Sequence, residues 1–261
     1  MHFDLGLRSY EAGDLYGVQR HLAALAMLPD AGVMSVSYLA LKWRDLWMRD
    51  MCQEALTVAR EAVRFFPGDT ESVLELGDIL VDLERHDEAM SVLSAGAERQ
   101  VADADLWYEL GMVAEKLARW DVRQDAFDRV WDLEHDQEPA FRLWLPDEIY
   151  TEAANAALAR LPRRVLEMLG SISVVLENYP GRWVLESDVA DPRVLGLYVE
   201  GNALLGTMRS SVPTIRIFRW NIERVCTGYE EVEEFVASTV IHEIGYHLGL
   251  EEEALYFQGI G

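Results

Sequence analysis

His242 and Glu243 stand side by side in the run Thr239-Val-Ile-His-Glu-Ile-Gly-Tyr-His-Leu-Gly-Leu-Glu-Glu-Glu253. Two imidazoles one helical turn apart bind Zn²⁺ from one helix face, and a carboxylate beside the first takes a proton from the attacking water, which is the logic of the H-E-x-x-H pattern. Here the fourth position after His242 is Tyr246, and the next imidazole, His247, comes one residue later. On a regular helix position 246 lies about 40° round from position 242, whereas position 247 lies roughly 140° round. A regular helix therefore aims only one of the two imidazoles at an ion beside Glu243. Two arrangements supply a second ligand: Tyr246 as a phenolate, or His247 turned inward by a one-residue π-bulge.

The elements that must position these groups follow from pattern. Val232, Val236 and Val240 recur every fourth residue with Phe235 beside them, which predicts an amphipathic helix over about 229–248. Upstream, Asp147 is placed to cap a helix running to about Leu161, with Ile149, Ala153, Ala156 and Leu158 as its buried residues. Pro162 ends that helix and starts a short one that Gly170 closes. Residues 172–177 are β-branched and 214–220 alternate at their start, so both read as strands of one small sheet. The stretch between them is rich in Gly, Pro, Asp and Ser and contains Leu195-Gly-Leu-Tyr-Val-Glu-Gly201.

These residues resemble the minimal zincin family of zinc peptidase domains over about 146–261, through the motif helix, Gly249 at the turn after it, and the glycine-bracketed Gly-Leu-Tyr segment. The resemblance implies Zn²⁺ as cofactor, His242 and Glu252 as ligands and Glu243 as general base, with Tyr246 or His247 in the remaining ligand position. It also implies a strand crossing above the motif helix that pairs with an extended peptide; residues 215–220 are the expectation for that strand. Arg216 and Arg219 then lie where a substrate carboxylate can be met, although exposed Arg on an edge strand serves solubility more often, and that reading is preferred. Tyr198 fits the cleft and the core equally well.

Residues 36–137 carry an internal repeat. Leu76-Gly77 and Leu110-Gly111 are separated by 34 residues, the tetratricopeptide period, and Ala55, Ala62, Pro67, Ala89 and Phe127 fall at matching small, large and closing positions. The units are expected at 36–69, 70–103 and 104–137, each two antiparallel helices, with a worn unit before them over about 10–29. Gly77 and Gly111 let paired helices approach closely, and stacked pairs leave a concave groove for a peptide or protein, or serve as a spacer. Trp43, Trp47, Trp107, Trp120 and Trp131 lie at helical spacing and read as core.

With 261 residues, half of them hydrophobic, the chain has material for real cores, and its net charge of -23 argues against nucleic acid or an anionic membrane surface as partner. The first residues show no leader pattern and no stretch is apolar for long enough to span a bilayer. Cys52 and Cys226 are distant and lack C-x-x-C spacing, so they read as buried thiols in a cytoplasmic setting; His2, His21, His86 and His135 have no spacing partner. The prolines of Pro139-Ala-Phe-Arg-Leu-Trp-Leu-Pro146 mark a boundary. The expected fold is an α-helical, tetratricopeptide-like repeat domain over 1–140 followed by a small α/β zincin-like domain over 147–261. The expected function is zinc-dependent peptide hydrolysis with a protein-binding repeat module. The alternative is an interaction protein whose zincin-like domain is catalytically impaired by Tyr246.

Overall fold

The structure, a computed structural model, describes the chain apart from residues 29–34, 139–142, 144, 188–189, 202–203, 206–207, 210–211 and 250–261. It divides into two compact units, Met1–Leu133 and Glu134–Gly261.

The first unit consists of helix pairs: α1 (His2–Glu11) with α2 (Leu15–Ala26), α3 (Val36–Met48) with α4 (Cys52–Phe65), α5 (Thr70–Asp82) with α6 (His86–Arg99), and α7 (Ala104–Lys116) with α8 (Trp120–Glu134), which meet where Tyr108 and Gly111 face Phe127. The 34-residue period is visible in the caps. Ser35, Asp69 and Asp103 each precede the first helix of a pair and accept a hydrogen bond from a backbone N–H three residues on, satisfying donors the helix start leaves open. The turn inside each pair repeats as well: Gly13, Asp50, Glu84 and Ala118 all have φ between +52° and +69° and sit two residues before the second helix. That left-handed conformation suits glycine, so three of the four repeats hold it with a side chain at some cost.

Within the pairs, the small residues act as expected. A Cβ on Gly77 would come within 2.9 Å of the Leu93 side chain, and one on Gly111 within 2.3 Å of the Phe127 ring. Ala55, Ala62 and Ala89 are buried in the same core. Two expectations are corrected. The first unit starts at His2, one period before Val36, rather than near Tyr10. Trp120 is 58% exposed because it opens α8 instead of facing the pair's seam, whereas Trp43 is buried and donates its indole N–H to Glu75 Oε2 at 2.8 Å.

In the second unit, α9 (Asp147–Arg160) and α10 (Arg163–Leu169) precede a sheet of β1 (Ser173–Glu177), β2 (Gly196–Val199) and β5 (Thr214–Phe218). A short 3-10 helix, Arg182–Glu186, lies between β1 and β2, and the hairpin β3 (Leu204–Leu205) and β4 (Met208–Arg209) precedes β5. α11 (Arg219–Val225) and α12 (Tyr229–His247) complete the unit. The sheet order is β1-β5-β2, with β1 parallel and β2 antiparallel to β5. α9 and α12 pack on each other, α9 reaching β1 and α12 reaching β5 and β2, so one helical layer covers the sheet.

The expectation that residues 215–220 form the edge strand is overturned: β5 is central, all five of its residues are buried, and β2 is the edge beside α12. Arg216 is accordingly no solubility device. Its side chain is buried in an ion pair with Glu177, which burial pushes above the usual carboxylate range against the pull of Arg216. Arg219 pairs with Asp147 at 2.6 Å and donates to Asn178. That pairing also corrects the cap at Asp147, which lies inside α9 after Pro146. The buried stripe of α9 is Tyr150, Ala153, Ala154 and Ala157, rotated from the expected one because an alanine-rich helix reads alike on several faces. Tyr150 donates to the buried Glu223 at 2.6 Å. Gly170, at φ +64°, closes α10 as expected.

Candidate functional site

α12 is α-helical throughout Tyr229–His247, without a π-bulge. Val232, Val236, Val240 and Ile244 form its buried stripe, one every fourth residue, and set its rotation about its axis. With that stripe inward, Phe235, Ser238, Thr239, His242, Glu243, Tyr246 and His247 line one side of a cavity of about 850 Å³. β2 and the segment before it form the facing wall with Val194, Leu195, Gly196, Leu197 and Tyr198.

Three contacts fix β2 above the helix. Asn221 Nδ2 donates to the carbonyls of Pro192 and Val194, at 3.0 and 2.8 Å, clamping the chain as it enters the strand. Gly196 then passes so close to α12 that a Cβ there would lie 2.6 Å from Thr239 Cγ2 and 2.8 Å from the Arg216 carbonyl oxygen. Finally the Tyr198 backbone N–H donates to Glu243 Oε2 at 3.0 Å. In an antiparallel edge strand alternate amides face away from the partner strand. The Tyr198 amide is one of these, and Glu243 is its acceptor.

Glu243 is half-buried, and burial pushes its carboxyl above the usual range while the Tyr198 N–H and His242 pull it back. A carboxyl with a raised proton affinity beside an exposed imidazole is suited to accept and return a proton. Tyr198 lines the cleft and also packs against the core: its ring stacks on His247, with centroids 3.9 Å apart and planes 25° apart. Tyr246 is 76% exposed at the cleft mouth, on the His242 side. Gly249 follows α12 at φ +65°, the turn the sequence expects there. Glu252 lies outside the described residues.

His242, Glu243, Tyr246 and His247 thus share one cavity, but the regular helix does not bring His242 and His247 to one point. Among the described residues no three His, Cys, Asp or Glu side chains converge as a metal site. On the shared helix face the His242 nitrogen is a donor of the kind zinc takes, and the Tyr246 oxygen stands one turn on. The feature that sequence reasoning missed is β2 itself, and its signal was Gly196, a small residue where strand and helix backbones approach.

Residues 169–259 match the family model described as zincin-like metallopeptidase. The second unit therefore carries a zincin-like domain behind tetratricopeptide-like helical repeats. No curated protein matches. Among solved structures the chain is similar to a crystal structure of MamA, at 17% identity over 51% of this chain and 72% of that one, with a TM-score of 0.41. It is also similar to MamA, 41-end, from Desulfovibrio magneticus RS-1, at 17% identity over 61% and 83% of the two chains, again with a TM-score of 0.41. Among the described residues no helix is long and apolar enough to cross a membrane. Both cysteines are free, Cys226 buried and Cys52 half-buried.

Proposed function

We propose that the second unit is a zinc-dependent peptidase domain acting on extended peptide segments, and that the repeat domain recruits the protein carrying them. The observation that carries this reading is the shared cavity of His242 and Glu243 under an edge strand, in a segment matching a metallopeptidase family. Zinc, when bound, supplies Lewis-acid polarisation of the scissile carbonyl and activation of water. His242, Tyr246 and Glu252 are its proposed holders. Glu243 accepts the proton of the attacking water and returns it to the leaving amine. The outward amide of Tyr198 is the group a peptide carbonyl would share with Glu243, so β2 sets the substrate's register. The setting is read as cytoplasmic, and the two units as separable modules joined near 139–146.

Glu243→Gln tests this. The amide keeps the shape but takes no proton, so hydrolysis of fluorescent casein should vanish with zinc content unchanged. Casein hydrolysis that survives the change would remove Glu243 from the mechanism. One observation favours a second reading, a zincin-like interaction protein without hydrolysis: Tyr246 stands where the helix face calls for imidazole. Zinc analysis of the purified chain separates the two.

A further inference from the structure

The cleft has two unlike ends, and their order along α12 specifies a substrate class. Gly196 lies against Thr239, while Tyr198 reaches Glu243 and His247, so β2 and α12 run alongside in the same direction. One end is apolar: Phe235, Val194 and Leu195, with Leu197 beside them. The other end, beyond Tyr198, carries Glu200, which is exposed and lines the cavity. No Lys or Arg lines the cavity among the described residues. Further along the apolar end, exposed Glu234 lies one helical turn before Ser238 on the same face.

Phe235 precedes His242 by seven residues, about 10 Å along a helix axis, which an extended peptide covers in about three residues. Glu200 follows Tyr198 by two strand residues, about 7 Å to the other side. From this geometry we infer that the cleft selects an extended peptide with an apolar side chain about three positions to one side of the bond facing Glu243 and a basic side chain about two positions to the other. The inference rests on the peptidase reading of the same site and specifies its substrate. Acidic peptides are disfavoured twice, by Glu200 and Glu243 in the cleft and by the net charge of -23.

Binding, rather than turnover, tests this. Fluorescein-labelled, end-capped 11-residue peptides in an Ala/Ser background carry Leu and Lys five positions apart, in both orders, and are titrated against the Glu243→Gln protein by anisotropy. One order is expected to bind, and exchanging its Lys for Glu to weaken binding by about tenfold at low salt, with the difference shrinking as salt rises. Glu200→Lys should reverse that preference. Phe235→Ala should reduce the preference for Leu over Ala by about fivefold or more. Peptide binding that is indifferent to the Lys-to-Glu exchange, or no peptide binding while the unmutated protein hydrolyses casein, overturns this inference and leaves the peptidase reading standing. Failure of every peptide to bind, together with no casein hydrolysis, overturns both.

Discussion

Replacing Tyr246 by His changes the one position at which the motif helix departs from a two-imidazole face. In the regular α12, residue 246 lies about 6 Å along the axis from residue 242 and about 40° round it, so an imidazole there joins His242 on one side. Tyr246 is 76% exposed, so little packing is lost and folding stability should change by no more than about 0.5 kcal/mol. Removing even an outer-shell partner of a metal typically costs about 10–100-fold in affinity. Exchanging a phenol, which must shed its proton to bind zinc, for an imidazole, which binds as the neutral ring, should therefore tighten zinc binding at least about tenfold, equivalent to about 1.4 kcal/mol or more. Competition against a chromophoric chelator measures this directly. Equal affinity in both proteins, with His247→Ala abolishing binding, would show that His247 serves as ligand through a helix bulged on metal binding, and would refute the argument from helix geometry. Absence of zinc binding in both would favour the interaction-protein reading.

Other consequences are as direct. Ala118→Gly and Glu84→Gly, at φ +52° and +58°, should each raise the stability of the repeat unit by about 0.5–1 kcal/mol in denaturant titration, because relief of left-handed strain outweighs the added freedom of the unfolded chain. Gly196→Ala should cost about 1–3 kcal/mol, since the new methyl meets the Arg216 carbonyl as well as a side chain, and the second unit should melt earlier. Burial pushes the Cys226 thiol up to about 11, so at pH 8 a thiol reagent should titrate Cys52 and reach Cys226 only on unfolding. The folded state keeps that proton longer than the unfolded chain does, so the same shift makes stability fall as pH rises from about 9 to about 11; Cys226→Ser should flatten the slope. Limited proteolysis should cut first within 135–146 and leave two fragments that melt independently; a single transition with no cut there would count against separable units.

The sequence by itself determined what is local or periodic. A 34-residue repeat encodes helix pairs because each needs only its own caps, its own turn and the next repeat's face, so the helices α3 to α8 fall within the expected units. The spacing of Val232, Val236 and Val240 likewise fixed the span and rotation of α12, and with them the side on which His242 and Glu243 emerge. Tertiary structure decided what depends on pairing across the chain. Residues 214–218 and 196–199 both look strand-like or loop-like by composition, and only hydrogen bonding between segments made the first central and the second the edge. Arg216 looked exposed because a charged side chain on a strand usually is; its burial required Glu177, 39 residues earlier, on the neighbouring strand. Tyr198 had no sequence signal as a partner of Glu243, because the group that matters is its backbone amide, which every residue but proline carries. Its orientation comes from the register of β2 against β5 and the close passage of Gly196 over Thr239.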